Sequence, residues 1–415
     1  MDNYTEKLAE KIKSGQQIII YGAGMEGESI VYELQHSYNI KPVCICDGDA
    51  KKWGKILIGI SIISIQEALK AYPDAKIFIA SSLHKYQIIG YLLYTVHLES
   101  SKIINYEPVE KRRSCSLLET QMLVSEHKLQ FCCSDFGKKR SPAVEFNGDY
   151  ESSVKNFCKL REEYIECFNH SQPTACDGCL CLEENYFAVN RIVERVNYSE
   201  GGICNSKCTY CSSCAKTNKD IDTEIYLPNL MDTLSQHHLI NEELVTFLAC
   251  GEVSIHPLRK EIYQSVCDYR NYVCTNAFVY DKDLAKLLSK QRSVLHVSVD
   301  SGTNQTFKKI KGFDLFDQVK ANLKKYSQDG LVELKYIFLP GVNDNVADID
   351  GFFGLFKEIN ACSMTISFDL HASHILSDQT RDMVLYFVNK AAKGTFVYKN
   401  VSEVVNQILD ESGQK

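Results

Sequence analysis

The chain has 415 residues, of which 45% are hydrophobic and 24% charged, and a formal net charge of −7. That describes a globular protein too long for one core of ordinary size, so two to three domains are expected. The acidic balance, with no sustained Lys/Arg run, argues against nucleic acid as a partner, and no apolar run reaches the length of a membrane span. Met1-Asp2-Asn3-Tyr4-Thr5-Glu6 lacks a basic then apolar leader, so the expected compartment is the cytoplasm. Eighteen cysteines there point to metal rather than to a disulfide framework.

Residues 1–110 read as a separate unit. Tyr4–Lys13 carries Leu8 and Ile12 on one face and suits a leading helix. Gln17–Tyr21 is a buried-type strand that runs into Gly22-Ala23-Gly24-Met25-Glu26-Gly27, ahead of a helix over Glu28–Gln35. A G-x-G-x-x-G turn between strand and helix is the setting of the dinucleotide fingerprint: Gly22, Gly24 and Gly27 allow a tight turn and a close approach of phosphate to the helix N-terminus. The second strand, Lys41–Cys46, ends at Asp47, where an acid can accept from a ribose hydroxyl. Further strands are expected at Lys76–Ala80 and Lys102–Asn105. The unit holds only one mononucleotide-binding half. Its run from Asp47 to Ser64 resembles the Rossmann-like unit at the start of sugar acyltransferases. Three readings stand open: nucleotide or nucleotide-sugar binding, a ligand-free docking domain, and an NAD(P) redox domain.

Residues 111–188 read as a small Cys-rich module. Leu129-Gln130-Phe131-Cys132-Cys133 opens it, Pro142 and Gly148 follow, and Cys176-Asp177-Gly178-Cys179-Leu180-Cys181 closes it. This order resembles the SPASM-type auxiliary cluster domain of radical S-adenosylmethionine (SAM) enzymes, although that domain usually follows the catalytic barrel. The resemblance implies one auxiliary [4Fe–4S] cluster. Its expected ligands are Cys176 and Cys179 with Cys132 or Cys133, and a fourth from Cys181, Cys158 or Cys167. A structural Zn site is the alternative, since four thiolates also close a tetrahedron. Cys115 stands alone among polar residues and receives no role.

The next segment, 189–395, contains Gly202-Ile203-Cys204-Asn205-Ser206-Lys207-Cys208-Thr209-Tyr210-Cys211. Three thiolates at C-x3-C-x2-C spacing on one loop can hold three irons of a cube and leave the fourth open, whereas ordinary electron carriers use four cysteines per cube. A Zn knuckle completed by Cys214, or inert core cysteines, are the competing readings. With Tyr210 in the aromatic position, the loop resembles the signature of the radical SAM superfamily. That resemblance implies that Cys204, Cys208 and Cys211 bind a [4Fe–4S] cluster, that SAM chelates the open iron, and that an external donor such as flavodoxin or ferredoxin supplies the electron.

Downstream, strands are expected at Val189–Val196, Leu244–Ala249, Tyr272–Cys274, Val294–Val299, Val332–Leu339 and Met364–Phe368. Helices are expected over Leu227–His237, Pro257–Cys267, Asp281–Lys290, Leu315–Asp329 and Asp348–Ile359. Alternating strands and helices of this kind make a partial (β/α)6 TIM-like barrel, whose strand-end loops carry the chemistry. Cys250-Gly251-Glu252-Val253 is similar to the family's Gly-Gly-Glu-Pro segment, which implies contact with the methionyl amino group. Thr275-Asn276-Ala277 is similar to its Thr-Asn-Gly. Ser298-Val299-Asp300 lies in a run whose polar residues, by the resemblance, stand near the ribose and carboxylate of SAM. Residues 396–415 form a C-terminal helix or tail, with Val401, Val405 and Ile408 on one side.

The expected fold class is therefore α/β: a partial barrel preceded by a Rossmann-like domain and a small Cys-rich module. The expected function is a radical SAM enzyme acting on an unidentified substrate, with a sugar-nucleotide or glycan as the favoured class. A peptide-modifying maturase is one alternative. A Zn-containing scaffold that binds a nucleotide-sugar without catalysis is another. No residue stands out as acid, base or radical relay, although Glu252, Asp300, Asp369 and His371 sit at strand ends.

Overall fold

The structure is a computed structural model that describes residues 3–81, 84–132, 142–179, 181–199, 203–211, 225–249, 251–290, 293–369, 376–391, 397–399 and 408. The first sheet is built from β1 (Ile18–Tyr21), β2 (Cys44–Cys46), β3 (Ile56–Leu57), β4 (Ile60–Ile63) and β5 (Lys76–Ile79), in the order β3-β4-β2-β1-β5. Strand β1 pairs in parallel with β2 and β5 and is buried at all four positions, as its uninterrupted apolar run requires of a central parallel strand. Its residues alternate between two cores. Ile18 and Ile20 meet Leu8, Ile30 and Leu34. Ile19 and Tyr21 meet Ile65, Ile89 and Leu92. Residues 102–105, expected as a strand, follow a short 3-10 turn over Ser100–Lys102 and contribute one bridge, between Ile77 and Ile103.

The remaining strands are β6 (Val109–Ser114), β7 (Gln121–Ser125), β8 (Lys128–Gln130), β9 (Ala143–Glu145), β10 (Glu183–Ala188), β11 (Arg195–Tyr198), β12 (Val245–Leu248) and β13 (Arg270–Thr275). They continue with β14 (Val294–Ser298), β15 (Leu331–Phe338), β16 (Ser363–Phe368) and β17 (Val397–Lys399). Strands β6 and β10 form an antiparallel ribbon with Ser114 opposite Glu183. The others form one large sheet in the order β17-β16-β15-β14-β13-β12-β11-β7-β8-β9. From β7 through β11 to β17 every pairing is parallel, and β8 and β9 add an antiparallel edge. Apolar residues on one face of these strands, among them Val273, Leu295, Val297, Leu334 and Ile366, join the helices in a single core. The molecule is α/β, and its main sheet is an open arc of parallel strands in sequence order, as in a partial TIM-like barrel.

Residues 111–188 do not stand apart as the sequence indicated. Strands β7, β8 and β9 extend the barrel sheet, and β7 lies beside β11 with Gln121 opposite Arg195. The long helix Tyr150–Asn169 buries Val154, Phe157, Ile165 and Phe168 in the same core. Strands β6 and β10 lean instead on the first domain, where Gln87 Nε2 donates to the Tyr186 carbonyl at 3.3 Å. The helix expected from Asn400 lies outside the described residues except for Ile408, which is buried.

The first domain rests against the starting ends of the barrel strands. Lys85 pairs with Glu107 and Glu243, the Tyr86 hydroxyl donates to Glu194, Lys7 pairs with Glu242, and Glu26 faces Arg270 at 3.8 Å. Glu194, Glu243 and Arg270 precede or begin β11, β12 and β13. The cysteine loop follows the other end of β11, so the two ends of the sheet serve different purposes.

Candidate functional site

Cys204, Cys208 and Cys211 lie on the loop after β11, at the C-terminal ends of the parallel strands. The loop is braced from below. Lys207 and Thr209 donate their backbone N–H groups to the carbonyls of Lys311 and Ile310, at 3.1 and 3.0 Å. Ser206 N donates to Cys204 Sγ at 3.4 Å, and Ser206 Oγ lies 3.0 Å from Cys208 Sγ. Asn276, at the end of β13, donates Nδ2 to Asn205 Oδ1 at 2.6 Å and to Cys204 Sγ at 3.9 Å. Burial pushes the Cys204 thiol up, and Cys208 and Cys211 add to that as like-charged neighbours. Thiols gathered on one loop without a disulfide are the donor set a cationic cluster stabilises as thiolates.

Glu252 follows β12 and is 1% exposed. Its Oε1 accepts from Ser254 N, Ser254 Oγ and Thr275 Oγ1 at 3.2, 2.6 and 2.6 Å, and its Oε2 accepts from Asn276 N at 2.6 Å. Its backbone N–H donates to the Ile203 carbonyl at 2.6 Å, which ties the second strand-end loop to the cysteine loop. Burial pushes its carboxyl pKa up, against the pull of these donors. Gly251 has φ +61, a left-handed conformation that explains glycine just before Glu252. Cys250 lies outside the described residues. Ala277 also has positive φ, +56, where the family carries glycine.

Tyr210 and Asp300 are drawn together by a residue the sequence did not flag. The Tyr210 hydroxyl donates to Asp300 Oδ2, and Lys311 Nζ donates to both, each at 2.6 Å. Asp300 Oδ1 also accepts from Ile337 N at 2.8 Å. Asp300 is therefore enclosed and occupied. It pins the loop through Tyr210, a role beyond the one the resemblance implied. Burial and the Asp300 charge push the Tyr210 hydroxyl pKa well up, so it stays a donor. Ser298 ends β14 part-buried, opposite Lys335.

A row of residues across the sheet was also missed. Cys274, His296, Glu333 and Ser363 are in register on β13, β14, β15 and β16. His296 Nδ1 lies 2.6 Å from Glu333 Oε1, and Ser363 Oγ donates to Oε2 at 2.8 Å. Burial opposes the Glu333 charge, but His296 and the hydroxyls of Ser363 and Thr365 outweigh it and hold the carboxyl below its usual range. Only strand alternation carried a signal for this row, and it needed the registers to become visible. Cys274 had read as a small buried hydrophobe. Asp369 follows the end of β16, and His371 lies outside the described residues.

In the first domain, Gly22 and Gly27 pack and Gly24 does not. A Cβ on Gly27 would stand 1.8 Å from the Gly22 carbonyl oxygen, whereas one on Gly24 meets nothing within 4 Å. Gly24 caps the helix Met25–Ser37. Asp47 accepts from Ala23 N at 2.8 Å, Asp49 N at 2.9 Å and Lys52 Nζ at 2.9 Å. Through these bonds its carboxylate braces the glycine turn.

The upstream cysteines gather at the other end of the sheet. Cys132 follows β8, where Gln121 Nε2 donates to the Phe131 carbonyl at 2.9 Å. Cys176 and Cys179 share a turn closed by Cys179 N donating to the Cys176 carbonyl at 2.9 Å. Cys181 feels the charges of Cys179 and Cys132. Cys133 lies outside the described residues. Cys158 is instead engaged by Arg161, and Cys167 by Gln172. Among the described residues, no three His, Cys, Asp or Glu side chains at either place form a shell for a single metal ion.

A parallel α/β arc with a three-cysteine loop at its strand ends defines a class, and comparison with known families names it. Residues 198–353 match the radical SAM superfamily model, which supports a radical SAM domain in this chain. Residues 14–104 match a second model, C2185-like, N-terminal. No curated protein matches the chain. Among solved structures it is similar to SuiB of Streptococcus suis bound to S-adenosylmethionine, with 10% identity over 63% of this chain and 58% of that one and a TM-score of 0.42. It is also similar to anSMEcpe with bound AdoMet, with 16% identity over 50% and 64% of the two chains and a TM-score of 0.40. A third is TYW1 with a lysine-pyruvate adduct, with 12% identity over 49% and 74% and a TM-score of 0.36. The chain spans 58% of the SAM-bound SuiB chain. No helix among the described residues is long and apolar enough to cross a membrane.

Proposed function

We propose that Cys204, Cys208 and Cys211 hold a [4Fe–4S] cluster that binds SAM and that the chain uses them to abstract hydrogen from a bound substrate. The observation that carries this is the three-thiol loop at the C-terminal end of β11, tied to β12 through Glu252 N and to the helix Asn304–Lys311 through Lys207 and Thr209. When bound, the cluster supplies the electron that cleaves SAM to a 5′-deoxyadenosyl radical. The chain's own residues position the reactants. Gly251, Glu252 and Asn276 surround the cysteine loop from the ends of β12 and β13, the place for the methionyl group. Ser298 ends β14, on the ribose side. Tyr210, Asp300 and Lys311 hold the loop rigid from beneath. The electron comes from a flavodoxin- or ferredoxin-type donor, and an auxiliary [4Fe–4S] cluster occupies the upstream cysteines. The expected product assay is 5′-deoxyadenosine from SAM in anaerobically reconstituted protein under dithionite. Cys204→Ala, Cys208→Ala and Cys211→Ala should each abolish it. Unchanged cleavage in any of the three defeats the assignment.

The substrate we favour is a nucleotide-sugar or a related glycan precursor, the ligand class that the first domain would also bind. Support comes from the open approach at Gly24, at the N-terminus of a 13-residue helix, an end that favours phosphate. Calorimetry with NAD, NADP, UDP-sugars and CDP-sugars should find one class that binds the full chain, and Gly24→Val should block it with the fold intact. Equal binding by Gly24→Val, or no binding by any, would make the first domain a docking unit.

A further inference from the structure

The β6/β10 ribbon brings together cysteines that lie far apart in sequence. With Ser114 opposite Glu183, the antiparallel register sets Cys115 just beyond one strand's end and Cys181 just before the other's start. Cys176 and Cys181 are the two thiols whose charge bears on Cys115. Cys132 comes to the same end of the sheet by a second route. Cys115 caps the short helix Ser116–Thr120, which leads straight into β7, and Gln121 at the start of β7 bonds the residue before Cys132. Cys115 and Cys176 both pack, part-buried, against the edge of the main core. Five thiols from three separate stretches of chain thus converge on one corner, and they include the one cysteine that sequence spacing left without a role.

We infer that Cys115 is a ligand of the upstream metal site, supplying the thiolate that completes a set drawn from Cys132, Cys176, Cys179 and Cys181. The inference rests on the auxiliary cluster proposed above and assigns it a ligand from outside the C-x2-C-x-C run. A four-iron cube takes four thiolates. The turn 176–181 contributes from one side of the ribbon end, and Cys115 and Cys132 contribute from the other. Cys158 and Cys167 lie on the helix Tyr150–Asn169 with partners of their own and are outside the set.

Cys115→Ser is the decisive variant because it separates the ligand from the fold. The Cys115 thiol accepts from Leu118 N at 3.4 Å as an N-cap. A serine hydroxyl makes that cap at least as well, so the helix is kept while the thiolate is lost. The experiment uses full-length protein carrying Ala at 204, 208 and 211, reconstituted anaerobically with iron and sulfide. That background should retain about four irons per chain. Adding Cys115→Ser should at least halve the iron, or convert the site to a three-iron form visible by electron paramagnetic resonance. Adding Cys158→Ser should change neither. Metal loading should also raise the melting temperature of the background and of Cys158→Ser, and fail to raise that of Cys115→Ser. Full iron retained in Cys115→Ser overturns this inference alone. A background that holds Zn and no iron, with Zn lost in Cys115→Ser, upholds the ligand and overturns the auxiliary cluster. A background that holds no metal overturns both.

Discussion

Asp300 and Lys311 show what single residues contribute to the loop above them. They are 0% and 2% exposed, and each supplies the other's nearest opposite charge. Removing one partner leaves a buried charge uncompensated. Lys311→Met should therefore cost about 3–5 kcal/mol in urea unfolding of the apo protein. Adding Asp300→Asn should recover much of that, because the amide oxygen can still accept from Ile337 N. A double variant no more stable than Lys311→Met argues against pairing as the source of the loss. Glu252 makes a related case without a cation. Glu252→Gln turns one acceptor oxygen into a donor facing hydroxyl or N–H partners, so a loss of about 1–3 kcal/mol is expected in the same assay. At this scale the sequence was uneven. Glu252, Tyr210 and Asp300 were legible because they sit at fixed places in recognisable runs. Lys311 was not, since a lysine in a helix reading Lys308-Lys309-Ile310-Lys311 passes for a solvated face, and only its burial shows otherwise. Nor did the sequence show the intrachain bonds that Asp300 and Asp47 make with Lys311, Ile337 N, Ala23 N and Lys52.

Strands of the parallel arc were readable because burial on both faces leaves short apolar runs, and their order in the chain is their order in the sheet. Strands β7 and β8 were missed for a local reason. They are joined by the two-residue turn Glu126-His127, with φ of 52° and 61° at its two positions. That geometry ordinarily calls for Asn-Gly or Asp-Gly, and neither residue here announces it. With the hairpin unseen, residues 111–188 looked like a free-standing module rather than the edge of the main sheet. A second contact between elements is as close as backbone allows. Helix Val346–Glu358 lies against the turn after β14, where a Cβ on Gly351 would sit 2.2 Å from the Gly302 carbonyl oxygen. Asp348 of the same helix accepts from Gly302 N, Thr303 N and Thr303 Oγ1 at 3.1, 3.1 and 2.9 Å. Gly351→Ala should push the helix off and cost at least about 1–3 kcal/mol. The control Gly354→Ala, where a Cβ meets nothing within 4 Å, should be neutral or slightly stabilising because it only improves helix propensity. Equal melting temperatures for the two variants contradict the contact.

Across the whole molecule, the seam between the first domain and the barrel carries a titrating group. Glu194 lies just before β11, accepts from the Tyr86 hydroxyl, and has its pKa pushed up by burial from 4.5 to about 7. Lys85 and Arg195 pull it down and Glu107 pushes it up, but burial is the larger effect. The folded state therefore keeps a proton that the unfolded chain has released between these two values. The stability this proton provides is fully present below pH 4.5 and is lost as pH rises toward 7 and beyond. Glu194→Gln, which cannot ionise, should match the parent at pH 4.5 and exceed it at pH 8 by about 1–3 kcal/mol. Parallel stability curves across that range would contradict the assignment. None of this seam was legible in the sequence, because Lys85, Glu107, Glu194 and Glu243 are scattered charges until two domains are brought face to face.

That seam also fixes a direction of traffic. The first domain stands across the starting ends of β11, β12 and β13, while the cysteine loop opens at their finishing ends. Over those three strands the arc works as a well with a floor. With SAM bound at the cysteine loop as proposed, SAM and spent 5′-deoxyadenosine would share one doorway, and each turnover would have to clear the nucleoside before the next SAM could seat. Accumulated 5′-deoxyadenosine should accordingly slow its own formation by competing with SAM, and a progress curve that stays linear after nucleoside is added would show a second exit.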